Sequence, residues 1–535
     1  MSQMNTKPVI SITRLLPVVM TAVILLLTAT AHAAAPGIKG TTFNLQARDS
    51  LISQPDGQMI YSWGYGCTSS AGITFAPAMP NNNCPTMQIP GPTLIVTEGQ
   101  SVSVTLTNNL PPSAGNTSIL FPGFQVTASG GTAGLLAQEA APGGTVTYTF
   151  TASTPGTHAY YSGTQGDLQV EMGLYGAVIV LPASVPANCD TGLAAKNVLA
   201  EQANGETDFR LAHAAYDHAS TCYDREYLFQ FSEMDPLIHQ QAESQVAALG
   251  NCNPSLASCK LNVPTEPYHP AYFMVNGRSM PDDMDPNYAA EYPHQPYNGN
   301  PHMHPGEQVL IRVIGTGRWQ HPFHEHGNHV RILGRDGNLI LAQNDATKLA
   351  GPLLFTTTTT PGVAFDGIFY WTGKGLNWDV YGHNATNDPG CTPDANGYDT
   401  STPSSLTYYE WCQDHNGLVN GAPNPAGNKA LEAHPFGDVG SGGPMTLPDP
   451  NILTNGAWYG GSPYLGPNAT VRATGPTGTT PPSGTIANSP TGEAGFAFMW
   501  HSHNERELTT NNIFPGGMMM MMLVDSREFV INESN

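Results

Sequence analysis

From Gly91 to Leu110, apolar and polar residues alternate twice. The first run is Thr93-Leu-Ile-Val-Thr97 and the second Ser101-Val-Ser-Val-Thr-Leu-Thr107, with Glu98-Gly99 between them. A period of two places every second side chain on one face, so the pattern predicts two strands joined by a turn. Gly144 to Phe150 repeats it, Thr157-His-Ala-Tyr-Tyr-Ser162 begins another strand, and Leu174 to Leu181 closes the series. Short strands spaced in this way predict a β-sandwich over roughly residues 36–182. A second series starts at Tyr227 to Glu233, continues through Tyr272 to Arg278, and reaches Pro305-Gly-Glu-Gln-Val-Leu-Ile311. There the turn-then-strand pattern of the first half recurs as a weak internal repeat. It resumes at Gly495 to Trp500 and at Met518 to Val524. Residues 384–490, rich in Gly, Pro, Asn and Ser, read as a loop insertion. The expected organisation is a leader at 1–33, a first sandwich at 36–182, a linker at 183–226, and a second sandwich at 227–530 carrying the insertion.

The leader changes the picture of location. Lys7 and Arg14 precede an apolar stretch from Leu15 to Leu27, and Ala31-His32-Ala33 offers the small-x-small pattern of a signal-peptidase site. This predicts export, with no membrane span in the mature chain. Charged residues are only 11% of the chain, against about 25% in a typical domain. Net charge is −22. An acidic surface of this kind excludes nucleic acid as a partner and favours cations. Eight cysteines in an exported chain predict disulfides. Proximity along the chain pairs Cys67 with Cys84, Cys189 with Cys222, Cys252 with Cys259, and Cys391 with Cys412.

The candidate chemistry lies in histidines. His321-Pro-Phe-His-Glu-His-Gly-Asn-His329 carries a His-x-His pair, and His501-Ser-His503 carries a second. On a strand, His324 and His326 share a face, as do His501 and His503. Two such strands side by side would supply a three- or four-nitrogen site, and neutral imidazole suits copper, zinc or iron. Alternation turns Glu325 away from that face. Glu505 and Glu507 read as exposed carboxylates, His302-Met-His304 as a solvated loop pair, and Asp282-Asp-Met-Asp285 as an acidic turn. The Met518 to Met522 run reads as core packing.

These motifs resemble the multicopper oxidases. Pro90-Gly-Pro-Thr93, Thr107-Asn-Asn-Leu110 and Gly173 to Val180 are similar to that family's first domain. His321 to Gly327 is similar to its His-Pro-x-His-x-His-Gly motif, and His501-Ser-His503 to its final His-Cys-His motif. The resemblance implies an all-β fold of tandem cupredoxin-like Greek-key β-sandwich domains, with the loop-rich insertion in the second. It also implies copper as cofactor, a small-molecule or metal-ion substrate, and the trimeric homo-oligomers common among two-domain relatives.

Departures from the family pattern reduce the expected copper complement. Leu120 and Pro122 stand where the first His-x-His motif belongs, and Tyr161 and Gly163 where the second belongs. Ser502 replaces the cysteine of the mononuclear, type 1 copper. His321 and Met518 remain as vestigial type 1 positions, while the second type 1 histidine falls near Glu507. The expected metal ligands are therefore His324, His326, His501 and His503. Three functions fit: an oxidoreductase with a reduced copper complement, a non-catalytic copper carrier, or a surface or assembly protein on an oxidase scaffold.

Overall fold

The computed structural model describes residues 35–191, 208–372 and 495–525 apart from residue 80. It also describes isolated residues within 197–206, residue 400, residues 464–466, and isolated residues within 527–531. The leader, Cys391, Cys412 and nearly all of the 384–490 insertion lie outside the described residues.

The first half folds as two five-stranded sheets. One runs Gly156–Tyr161, Tyr175–Leu181, Leu94–Thr97, Gly37–Lys39, Thr74–Ala76; the other Met59–Ser69, Thr42–Ser53, Ser101–Asn108, Thr145–Thr151, Thr127–Gly130. The alternation seen in the sequence sets which face is inward. Val102, Val104 and Leu106 are buried, and Val146, Tyr148 and Phe150 on the neighbouring strand point into the same core. Ser101 to Thr107 pair antiparallel with Thr151 to Thr145, so the two patterns stay in register.

The second half repeats the two-layer plan. Tyr272–Val275, Arg225–Met234, Gln308–Gly315, Ala364–Tyr370 and Val330–Arg335 form one sheet in that order. His302–Met303, Met519–Val524, Gly495–Ser502, His321–Glu325 and Thr356–Thr359 form the other. Met518 to Met522 are all buried in the core between these sheets, which is the packing role expected from their alternation. The architecture is all-β with cupredoxin-like tandem sandwiches; the one long helix described is Pro236–Leu249. No described helix is long and apolar enough to cross a membrane. Cys67–Cys84, Cys189–Cys222 and Cys252–Cys259 are bonded as their spacing predicts.

The halves are joined by buried polar groups as well as apolar ones. Thr157 donates its amide and its hydroxyl to Asp366, at 3.0 and 2.6 Å. Tyr216 donates to the same carboxylate at 2.6 Å, and Arg312 lies 3.3 Å from it while binding Glu226 at 2.9 Å. Asp366 and Arg312 are each 1% exposed, so an unpartnered charge at either position would have no access to water. Asp366→Ala removes one of the two carboxylates paired with Arg312 and leaves three further donors, from Thr157 and Tyr216, without that acceptor. The expected loss is about 3–5 kcal/mol, read as a lowered denaturant midpoint at unchanged slope.

Candidate metal centre

The two histidine motifs meet because their strands pair. His321–Glu325 runs antiparallel to Gly495–Ser502, with His324 directly opposite His501. The intervening positions hold the strands in place. Phe323 and Trp500 turn inward, fully buried, with ring centroids 6.1 Å apart, and the Trp500 indole donates to the His326 carbonyl at 3.0 Å. Aromatic-in and histidine-out alternation therefore positions the imidazoles on the opposite face.

His324, His326 and His501 each place a ring nitrogen within 4.8 Å of the others. The Nε2 atoms of His326 and His501 are 3.3 Å apart. His503 stands at the edge of the group: its ring centroid is 4.7 Å from that of His324 and 5.5 Å from that of His501, and its side chain is half exposed. Backbone and hydroxyl groups orient the rings from behind. His501 Nδ1 lies 2.7 Å from the Ser502 carbonyl and donates to it, while His324 Nδ1 lies 2.6 Å from Thr356 Oγ1. Such outer partners fix the ring tautomer and aim. Thr356 was not legible as a partner, because it lies on a strand whose sequence, Thr356 to Thr359, carries no metal-site signal.

Burial, reinforced by the neighbouring imidazoles, lowers His324 and His326 from the usual histidine range to about 4; burial also lowers His501. His324, His326 and His501 are therefore neutral at pH 7, the form in which imidazole binds a metal. Glu325 is fully buried on the other face, where it accepts from Thr357 at 3.2 Å, as alternation predicts.

The vestigial type 1 positions converge on a different structure. His321 is fully buried between two carboxylates: its Nδ1 lies 2.8 Å from Glu507 Oε2 and its Nε2 2.9 Å from Glu233 Oε2. Ser502 donates its hydroxyl to the same Glu507 oxygen. Met518 is buried in the core, with its amide bonded to the Glu507 carbonyl and its carbonyl to the Ser502 amide. Burial alone would lower His321, but the hydrogen bonds to Glu233 and Glu507 outweigh it and raise the imidazole to about 9. Both ring nitrogens are engaged as donors, so His321 is a paired cation rather than a lone-pair ligand.

Two further expectations need correcting. Glu507 is not an exposed carboxylate; it is fully buried because it charge-balances His321, whereas Glu505 is exposed. His302 and His304 are not a solvated pair. Both are buried beside the last strand, bonded to Asp525 and Glu206 at 2.8 Å each. Asp282 to Asp285 does form a turn, around a 3-10 segment at Asp282–Met284, with Asp283 fully buried and its carboxyl raised well above the usual range by that burial. Glu233 was missed altogether. It lies far from both histidine motifs in sequence, and strand packing alone brings it to His321.

Comparison with known proteins fits this picture. Residues 82–184 match the multicopper oxidase family model. A stretch of 129 residues is 33% identical to Laccase 1 of Metarhizium acridum (strain CQMa 102), covering 23% of this chain and 20% of that protein. Another of 96 residues is 38% identical to L-ascorbate oxidase of Brassica rapa subsp. pekinensis, covering 17% and 16%. Over these stretches the chain is similar to multicopper oxidases, which supports a divergent member of that superfamily. The matched stretches span a fifth or less of these two oxidases. Blue copper oxidase from Nitrosomonas europaea superposes with a TM-score of 0.42 at 15% identity, covering 91% of this chain and 86% of that one. In this multicopper oxidase relative the matched first half is the one whose expected ligand positions hold Leu120, Pro122, Tyr161 and Gly163, while the histidines that come together lie in the second half.

The His321 clamp predicts a pH signature. Its imidazole is held near 9 in the folded chain and returns to about 6.5 when exposed. Its stabilisation is therefore complete below about pH 6.5 and is lost as pH rises toward 9. Glu507→Gln should lower stability below pH 6.5 and flatten the decline between pH 6.5 and 9. Denaturant midpoints measured from pH 6 to 10 on both proteins check this.

Proposed function

We propose that this protein is an exported copper-binding oxidoreductase of reduced copper complement, working at His324, His326, His501 and His503. The observation that carries the reading is the convergence of three neutral imidazoles within 4.8 Å at the ends of two paired strands. The donor set fits copper. It is all nitrogen, burial keeps the His324, His326 and His501 rings unprotonated at pH 7, and copper(II) binds such sites most tightly among the first-row divalent ions. Bound copper supplies a one-electron couple open to direct contact with a small molecule.

The chain's own residues determine how that contact is made. Thr356 and the Ser502 carbonyl hold two rings against rotation, and the partly exposed His503 marks the solvent side of the cluster. Glu505 lies 3.9 Å from His503 Nδ1 and is largely exposed, so a carboxylate sits where a cationic reductant would arrive. The net charge of −22 works in the same direction. We read the chain as two units, 36–182 and 227–530, delivered across a membrane by the 1–33 leader.

A copper-carrier reading has one specific observation in its favour. Ser502, at the place of the type 1 cysteine, donates to Glu507, at the place of the type 1 histidine, and Glu507 in turn pairs with His321. That arrangement offers no thiolate through which electrons would reach the histidine cluster.

Copper-loaded protein should give a non-blue paramagnetic spectrum with nitrogen coupling, and His324→Ala combined with His501→Ala should abolish it. An intense blue absorption would contradict this reading of Ser502. Aerobic oxidation of phenols or metal ions supports the enzyme; tight binding without turnover supports the carrier. Thr356→Ala, which removes a hydroxyl partner of His324 Nδ1, should weaken copper binding about 10- to 100-fold, measured by chelator competition.

A further inference from the structure

We propose that the cavity between the two halves beside Tyr161 binds one small, uncharged aromatic molecule of the phenol class. The cavity measures about 330 Å³. Leu120, Tyr161 and Gly163 line it from the first half, at positions where the family resemblance places copper-binding histidines; Gly317, Arg318 and Gly362 line it from the second. Its volume lies at the small end of ligand pockets, which run from about 300 to 1,000 Å³, and so fits a single substituted ring.

The walls select the chemistry. Leu120 and Tyr161 are locked by paired backbone bonds of 2.7 and 3.3 Å. Gly317 and Gly362 present bare backbone. A Cβ on Gly317 would lie 2.0 Å from a Glu233 oxygen, and one on Gly362, at φ +77°, would lie 3.3 Å from the Tyr161 hydroxyl. Flat backbone beside a tyrosine ring suits a planar ligand.

The polar side chains lining the cavity are already engaged, with one exception. Ser162 donates to Gln169 and Thr316 to the Phe231 carbonyl. Arg318 binds the Thr265 carbonyl and Glu266 while lying over the Tyr268 ring. The Tyr161 hydroxyl makes no hydrogen bond to any described residue. No uncommitted cation is therefore present to receive a carboxylate, and Glu233 behind Gly317 repels one. The remaining demand is for an apolar ring carrying one hydroxyl. This site is independent of metal at the histidine cluster.

Isothermal titration of the full chain with p-cresol, toluene and benzoate tests the assignment. The expected result is one saturable site for p-cresol and at least tenfold weaker binding of benzoate. Leu120→Trp, which fills the space, should abolish binding. Tyr161→Phe keeps the shape and removes the hydroxyl; it should weaken p-cresol about two- to tenfold and leave toluene unchanged. Binding should persist in the His324→Ala, His501→Ala protein, which separates this proposal from the copper reading. Absence of saturable p-cresol binding, equal binding of benzoate, or p-cresol affinity unchanged by Tyr161→Phe would overturn it.

Discussion

The antiparallel pairing of His321–Glu325 with Gly495–Ser502 is the contact on which the rest of this molecule depends. These two strands come from widely separated stretches of chain, and the 384–490 segment lies between them in sequence. Their register places His324 against His501 and sends Phe323 and Trp500 into the core. A slip of one residue would exchange those faces, burying imidazoles and exposing aromatics. The apolar core thus specifies where His324 and His501 stand, and His326 and His503 follow in the bends directly after the two strands.

On the reverse face of the same strands, the fold has solved a second problem with charge. A position that the family resemblance assigns to a metal is occupied by His321 between Glu233 and Glu507. A buried cation between two carboxylates costs much solvation, which direct pairing and the Ser502 hydroxyl offset. The same economy recurs between the halves at Arg312, Asp366 and Glu226. The chain carries few charged residues, yet many of them are inside. Low overall charge therefore does not mean a neutral interior.

Much of this was legible in the sequence, because alternation is a local property. The strands at Ser101–Asn108 and Thr145–Thr151 follow directly from period two, as does the shared face of His324 and His326. The burial of Glu507, His302 and His304 was not legible. A polar residue reads as exposed unless its partner is known, and those partners are His321, Asp525 and Glu206, all distant in sequence. Glu233 was invisible for the same reason. Residue type and spacing predict which side chains share a face; they do not predict which charges will be brought opposite one another.

The methionine strand has a chemical corollary. Met518 to Met522 are at most 5% exposed. Conversion of a thioether to its sulfoxide requires access by peroxide and installs a polar oxygen that this interior has no room to solvate. Native chains should therefore resist such damage, whereas any chain that opens becomes trapped open once sulfoxidised. Sulfoxide content along this strand would then record how often the C-terminal sandwich has come apart.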